Sequence, residues 1–200
     1  MQQLNATSSE EELADDAGLL RAHLAGDALA FGRLYNRYDR PCFGFIRRML
    51  GPGQGESAED LHQEVWISIS RNAASFDPDK ASFRAWLFAI TRNKVWDHFR
   101  RQRVTVLASA QFDAAMTIPD EEPTPLARVE SRELAEMLVA AVEALPLAQR
   151  DVFVLFAHAG LTLEEISEVT GAGFETTKSR LRYARATLRQ TLAAERPTHV

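Results

Sequence analysis

Between Asp113 and Pro125 the chain carries Pro119, Pro123 and Pro125 among acids and small residues, with no amphipathic period. Proline fixes its own φ and donates no backbone hydrogen bond, so neither a helix nor a sheet ladder runs easily through such a stretch. It reads as a flexible acidic linker, and the chain on each side of it must close its own core. On both flanks apolar residues recur at three- and four-residue spacings, and no strand-like alternation appears. The expected fold class is therefore all-α: two small helical domains joined by the linker. The boundaries read as an acidic N-terminal tail over 1–18, a first domain over 19–103, the linker over 104–131 and a second domain over 132–194.

In the first domain Leu20, Leu24, Phe31, Leu34, Tyr35 and Tyr38 recur near helical spacing, with Gly26 and Asp27 marking a helix start. Pro41 predicts a break or kink near Arg40. A helix is predicted over Ser57–Arg71, with Ser57 as N-cap, acids in its first turn, and Ala58, Leu61, Val65 and Ile69 facing the core. After the loop Asp77-Pro78-Asp79-Lys80, a third helix is predicted from near Ser82 through Arg101. In the second domain one helix should end before Pro146 and the next should cover Leu147–Ala157. Thr162 and Glu165 stand at capping-box spacing before a helix over Leu163–Val169. Gly171-Ala172-Gly173 then forces a tight turn before a last helix over Phe174–Leu192. Two short helices around such a turn form a helix-turn-helix pattern.

Charge is segregated along the chain. The 23 bases and 28 acids give a net charge of −5, which excludes coating nucleic acid by bulk charge. Yet Ser82–Arg103 carries +5, residues 104–136 carry −5, and Phe174–Leu192 carries +4. Two basic patches fit two contact points on one polyanion, or two solvated helix faces. On the last helix Phe174, Leu181, Ala184, Leu188 and Leu192 form an inward stripe. Lys178, Arg182, Arg185 and Arg189 lie about a quarter turn away, and Thr176, Ser179 and Tyr183 face outward. Such a helix can offer bases to phosphates and short side chains to base edges. The helix from Ser82 interleaves Phe83, Trp86, Phe88, Trp96 and Phe99 with bases, more aromatics than one core stripe requires. Some of that aromatic surface is expected to stay exposed and to stack on unpaired bases. Asp60, Gln63, Glu64, Ile67 and Arg71 share a face of the Ser57 helix, which reads as solvated or as a docking face.

Other classes lack their residues. A single cysteine, Cys42, precludes an internal disulfide and reads as a small buried residue. His23, His62, His98, His158 and His199 are scattered without a metal-ligand pair, and His62 reads as a surface residue. There is no Gly-rich phosphate loop, so no enzyme, cofactor or metal is expected. No apolar run approaches a membrane span, and the first residues do not form a secretory signal, so a soluble cytoplasmic protein is expected.

The ordered motifs AEDLHQEVW (58–66), FDPDKASFRAWLFAITRNKVWDHFRR (76–101), LPLAQRDVFVL (145–155) and GLTLEEISEVTGAGFETTKSRLRYARATLR (160–189) resemble the extracytoplasmic-function group of bacterial RNA polymerase sigma factors. The resemblance implies a region 2 domain, a linker and a region 4 domain, in a protein that is not an enzyme. It implies core RNA polymerase and promoter DNA as partners, duplex at −35 and single-stranded at −10, with an anti-sigma factor expected. Asp60, Gln63, Glu64 and Ile67 then fall on the polymerase-contact face. Phe76, Lys80, Ser82, Arg84, Trp86, Asn93, Asp97, Arg100 and Arg101 fall in the −10 region. Thr176, Lys178, Ser179, Arg180, Arg182, Tyr183 and Arg185 fall on the −35 helix. The chain departs from the family pattern at Gly173, where proline is frequent, at Glu175, where a small residue is common, and at Thr177, where an apolar residue is common. The residues alone leave one alternative, an autonomous helix-turn-helix regulator that binds duplex DNA without polymerase.

Overall fold

In the computed structural model, residues 15–108 and 135–194 are described, the side chains of 103–108 excepted. The acidic residues Glu10, Glu11 and Glu12 and most of the linker lie outside the described residues. All regular structure among the described residues is helical. The first domain comprises α1 (Asp16–Leu24), α2 (Ala28–Leu50), α3 (Gly55–Asn72), a 3-10 turn (Ala73–Ser75) and α4 (Phe83–Ala108). The second comprises α5 (135–143), α6 (Leu147–Ala157), α7 (Leu163–Thr170) and α8 (Phe174–Ala194). No described helix is long and apolar enough to cross a membrane.

The first core is built where α2, α3 and α4 meet. Leu34, Phe45, Ile46, Met49, Val65, Ile69, Leu87 and Phe88 are all sealed from solvent. Phe45 and Phe88 meet edge-on, their ring centroids 5.7 Å apart. The predicted core stripe of α3 (Ala58, Leu61, Val65 and Ile69) is buried throughout. Cys42 lies in the same core beside Thr91, and burial pushes its thiol up to about 12. The second domain closes over Val152, Leu155, Leu161, Ile166, Leu181, Ala184 and Leu188.

Local signals set most boundaries. Asp27 caps α2, its carboxylate accepting from Leu29 N–H (2.9 Å) and Ala30 N–H (3.3 Å). The capping box of α7 is complete: Glu165 N–H donates to Thr162 Oγ1 (3.2 Å), and Thr162 N–H donates to Glu165 Oε2 (3.0 Å). Gly171 then takes φ +68°, a left-handed turn that sets α8 across α7.

Four expectations change. Pro41 does not break its helix: α2 runs unbroken from Ala28 to Leu50. Tyr38, Cys42 and Phe45 are buried around the proline, so packing on both sides outweighs one lost hydrogen bond. Ser57 is not the N-cap of α3, which begins two residues earlier, at Gly55. Asp16 and the residues following it are not tail. Asp15 caps α1, and Asp16 accepts hydrogen bonds from the Arg37 and Tyr38 side chains, tying α1 to α2. At its far end α4 continues to Ala108, past the expected domain boundary at 103.

Phe45→Ala should lower unfolding stability by about 3–5 kcal/mol, and Thr162→Ala by about 1 kcal/mol, in urea titrations. Equal losses for the two would contradict the difference between a sealed core ring and an exposed cap.

Candidate polymerase and promoter interfaces

On α3 the core stripe leaves Asp60, Gln63 and Ile67 on the opposite face, at positions i, i+3 and i+7. All three are exposed, and Ile67 keeps half of its surface in solvent. Glu64 is half-buried, its carboxylate 3.2 Å from Lys94 Nζ on α4. The four residues expected to contact polymerase therefore form one acidic face with an apolar spot. His62 sits beside this face but not on the surface. Trp66 Nε1–H donates to its Nε2 (3.0 Å), and Asp39 lies 3.2 Å from the same nitrogen. It belongs to an aromatic seam between α2 and α3 that also holds Tyr35, Phe43 and Trp66.

The residues assigned to the −10 region separate into two groups, because Arg84 and Arg100 stand about 24 Å apart along α4. At its N-terminus Ser82 accepts from Ala85 N–H (3.1 Å) and starts the helix. Phe76 and Trp86 pack together, centroids 5.4 Å apart, and Arg84 lies over the Tyr38 ring at 5.9 Å. Burial and Asp16 push the Tyr38 phenol up to about 12, so it stays neutral beside that guanidinium. Lys80 pairs with Asp77 across the loop (2.7 Å) and holds that carboxyl below its ordinary range. Further along, Asn93, Asp97, Arg100 and Arg101 occupy i, i+4, i+7 and i+8, all exposed, with Arg100 paired to Asp97.

Some aromatic surface of α4 does stay exposed, as expected, but only on half-buried side chains. Phe83 and Phe88 are sealed in the core, and Trp86, Trp96 and Phe99 are half-buried against it. The surplus over one core stripe is taken up by packing on the loop and on the second domain. Trp96 Nε1–H donates to Asp151 Oδ2 of α6 (3.3 Å), which Arg92 Nε–H also reaches (2.8 Å). Asp151 is only 2% exposed, and that burial pushes its carboxyl up against the pull of Arg92. No pattern of three- or four-residue spacing signals this pair, because its members lie 59 positions apart. The only hint in the sequence was a lone acid beside the apolar run VFVLF (152–156).

On α8 the buried row is Thr177, Leu181, Ala184 and Leu188. Phe174 leaves the stripe: it opens the helix and is 40% exposed. Thr176, Lys178, Arg182, Tyr183 and Arg185 are exposed on the outer side, while Ser179 and Arg180 are half-buried. Arg182 lies over the Tyr183 ring at 5.0 Å, and Arg185 over Phe156 at 4.7 Å. Glu175 stands 3.6 Å from Lys178, so the acid at the helix start is shared between the dipole and a base. Among the described residues no cluster of three or more His, Cys, Asp or Glu is placed to hold a metal ion.

Residues 34–105 match the Sigma-70 region 2 model, and residues 135–188 match the Sigma-70 region 4 model. The chain is 34% identical over 178 residues to the ECF RNA polymerase sigma factor SigM of Mycobacterium tuberculosis (strain ATCC 25618 / H37Rv), covering 88% of this chain and 84% of that one. The chain belongs to the extracytoplasmic-function group of RNA polymerase sigma factors. It is also 31% identical over 184 residues to SigK of Mycobacterium bovis (strain BCG / Pasteur 1173P2), covering 90% and 95% of the two chains. Among solved structures it is similar to CnrH, in complex with the cytosolic domain of CnrY, with TM-score 0.65 and 27% identity over 90% of this chain and 98% of that one. The fold is shared with RpoE of Bartonella quintana, in complex with the anti-sigma factor NepR, at TM-score 0.69 and 23% identity over 83% and 98%. As a sigma factor the chain is a DNA-binding initiation factor that directs RNA polymerase to promoters, and the catalysis belongs to the polymerase. Membership in this family sets the autonomous-regulator alternative aside.

The departure at Thr177 now has a location. The residue is fully buried in the α8 row, and its hydroxyl finds no partner among the described residues. Thr177→Val removes that unpaired hydroxyl at almost constant shape and should raise stability by about 1 kcal/mol. Destabilisation in thermal melts would mean that the hydroxyl is bonded after all.

Proposed function

We propose a division of contacts among α3, α4 and α8. The α3 face of Asp60, Gln63, Glu64 and Ile67 docks on core RNA polymerase. Its carboxylates favour a basic partner, and Ile67 supplies an apolar anchor at the centre. The outer side of α8 enters the major groove of the −35 element. A helix about 10–12 Å across fits a groove about 12 Å wide, with Arg182 and Thr176 toward base edges and Lys178 and Arg185 toward phosphates. The observation that carries this reading is the row of Thr177, Leu181, Ala184 and Leu188. Burying that row leaves Thr176, Lys178, Arg182, Tyr183 and Arg185 exposed on one basic, hydroxyl-bearing side.

The loop from Phe76 to Ser82 and the start of α4 hold unpaired −10 bases, while Asn93, Asp97, Arg100 and Arg101 follow the strand. Because Phe76 and Trp86 are packed together, base capture here relies on pockets beside the aromatics rather than on open stacking platforms. Trapping bases already out of the stack shifts the duplex toward the open form, at roughly 1–3 kcal/mol per stacked base, without nucleotide hydrolysis. Each domain alone binds DNA weakly, and polymerase holds the pair at the separation that lets both engage one promoter. The protein acts in the cytoplasm. Since RpoE of Bartonella quintana is found with an anti-sigma factor, an anti-sigma protein covering these same faces is inferred as a second partner.

Alanine at both Asp60 and Glu64 should weaken capture of core polymerase at least tenfold in pull-down titrations while leaving the helical signal intact. Unchanged capture would remove α3 from the polymerase contact. In run-off transcription, Arg182→Ala should cost about 1–3 kcal/mol of −35-dependent discrimination. Equal loss on native and −35-scrambled templates would show a phosphate contact instead of base reading.

A further inference from the structure

The helix α8 turns one row of side chains directly away from its core. With Thr177, Leu181, Ala184 and Leu188 buried, the opposite side carries Glu175, Lys178, Ser179 and Arg182 at positions i, i+3, i+4 and i+7. Three of these four suit a polyanion, and Glu175 does not. It stands in the first turn of α8 with 79% of its side-chain surface in solvent. A small residue is common at this position in the family, so the acid is a feature of this chain.

Little holds that carboxylate for the sake of the fold. Lys178 Nζ lies 3.6 Å away, one turn along the helix, and both side chains are mostly in water. Exposed pairs of this kind are weak and screened by salt. The helix dipole favours an acid in the first turn, which accounts for Glu175 in the free chain. On DNA the balance changes. Lys178 turns to a phosphate, the carboxylate loses its cation, and the surrounding phosphates repel it. Glu175 then needs a hydrogen-bond donor from the DNA itself.

The first turn of a recognition helix is the part that reaches base edges. A carboxylate only accepts hydrogen bonds. In the major groove thymine offers O4 and guanine offers O6 and N7, all acceptors, while adenine sets its N6 donor beside the N7 acceptor. Cytosine presents a donor, N4–H, with no acceptor on its own edge. We propose that Glu175 is a specificity-determining residue, accepting from N4–H of one cytosine in the −35 element and rejecting guanine and thymine there by acceptor–acceptor repulsion. The inference rests on the assignment of α8 to the −35 groove. Seven positions separate Glu175 from Arg182, about 10.5 Å of helix, so the two side chains read positions about three base pairs apart at roughly 3.4 Å per step.

The test uses core polymerase with the full chain, in run-off transcription from templates whose −35 element is randomised. Wild type should favour cytosine over guanine and thymine about tenfold at one position. Glu175→Ala should flatten that position, chiefly by gaining activity on the disfavoured nucleotides, and keep the preferences at all others. Glu175→Gln should move the preference at the same position to adenine, whose N6 and N7 an amide matches. Arg182→Ala should flatten a different position, about three base pairs away. Both Glu175 variants should keep the helical circular dichroism of wild type. A Glu175→Ala profile identical to wild type would overturn the proposal and leave the acid as a helix-start group. Activity raised equally on every template would also overturn it, because it shows general repulsion of phosphate without base reading. Loss of a preference in Arg182→Ala but not in Glu175→Ala defeats the Glu175 proposal alone. A wild type without any −35 preference defeats the α8 assignment and the proposal with it.

Discussion

Asp151 has given up nearly all of its contact with water in exchange for one guanidinium and one indole N–H, both supplied by α4. Burying a carboxylate costs several kcal/mol, and a single ion pair returns that cost only when its geometry is good. Here Arg92 approaches at 2.8 Å and its charge is further held by the Val169 carbonyl. A domain interface built on such a pair gains little net stability compared with an apolar seam of equal area. What it gains is discrimination: the two surfaces fit in one register, and misplacing either partner strands a buried charge.

Most of the functional geometry follows from how α4 is shared. Leu87, Phe88 and Val95 fasten the helix into the first core, which fixes the direction of every other side chain along it. One remaining side, Asn93, Asp97, Arg100 and Arg101, meets solvent. The adjacent side, Arg92 and Trp96, meets region 4. Because these sides are neighbours on a single rigid rod, covering one alters access to the other without any change inside either domain. The same rigidity explains why α3 remains available. Its exposed face of Asp60, Gln63 and Ile67 makes none of the bonds of the seam between domains.

The acidic and basic blocks along the chain acquire different meanings once folded. On α8 Lys178, Arg182, Arg185 and Arg189 remain at the surface, with Arg182 and Arg185 over nearby rings and Lys178 beside Glu175, while Arg180 is half-buried. On α4 the basic block is divided: Lys94 is tied to Glu64, Arg92 to Asp151, and Arg100 to Asp97. A count of charges therefore overstates the positive surface of α4 and describes that of α8 well. The −35 reading consequently rests on local helix geometry, whereas the −10 reading depends on which pairs open.

Helix limits set by near neighbours were legible in the chain itself. Leu147–Ala157, the Thr162–Glu165 capping box, the Asp27 cap and the Gly171 turn all depend on residues within a few positions of one another. So did the buried stripe of α3 and the outward row of α8, because a helical period fixes which residues share a face. What only tertiary packing decided lay between residues far apart. Neighbouring core carried α2 through Pro41. Arg37 and Tyr38 drew Asp16 out of the supposed tail, and the second domain covered Trp96 and paired Arg92 with Asp151. Local propensity costs up to about 1 kcal/mol for most residues and about 3 kcal/mol for a proline inside a helix, while burying several large side chains against a distant surface is worth as much or more, so where the two met the distant surface prevailed.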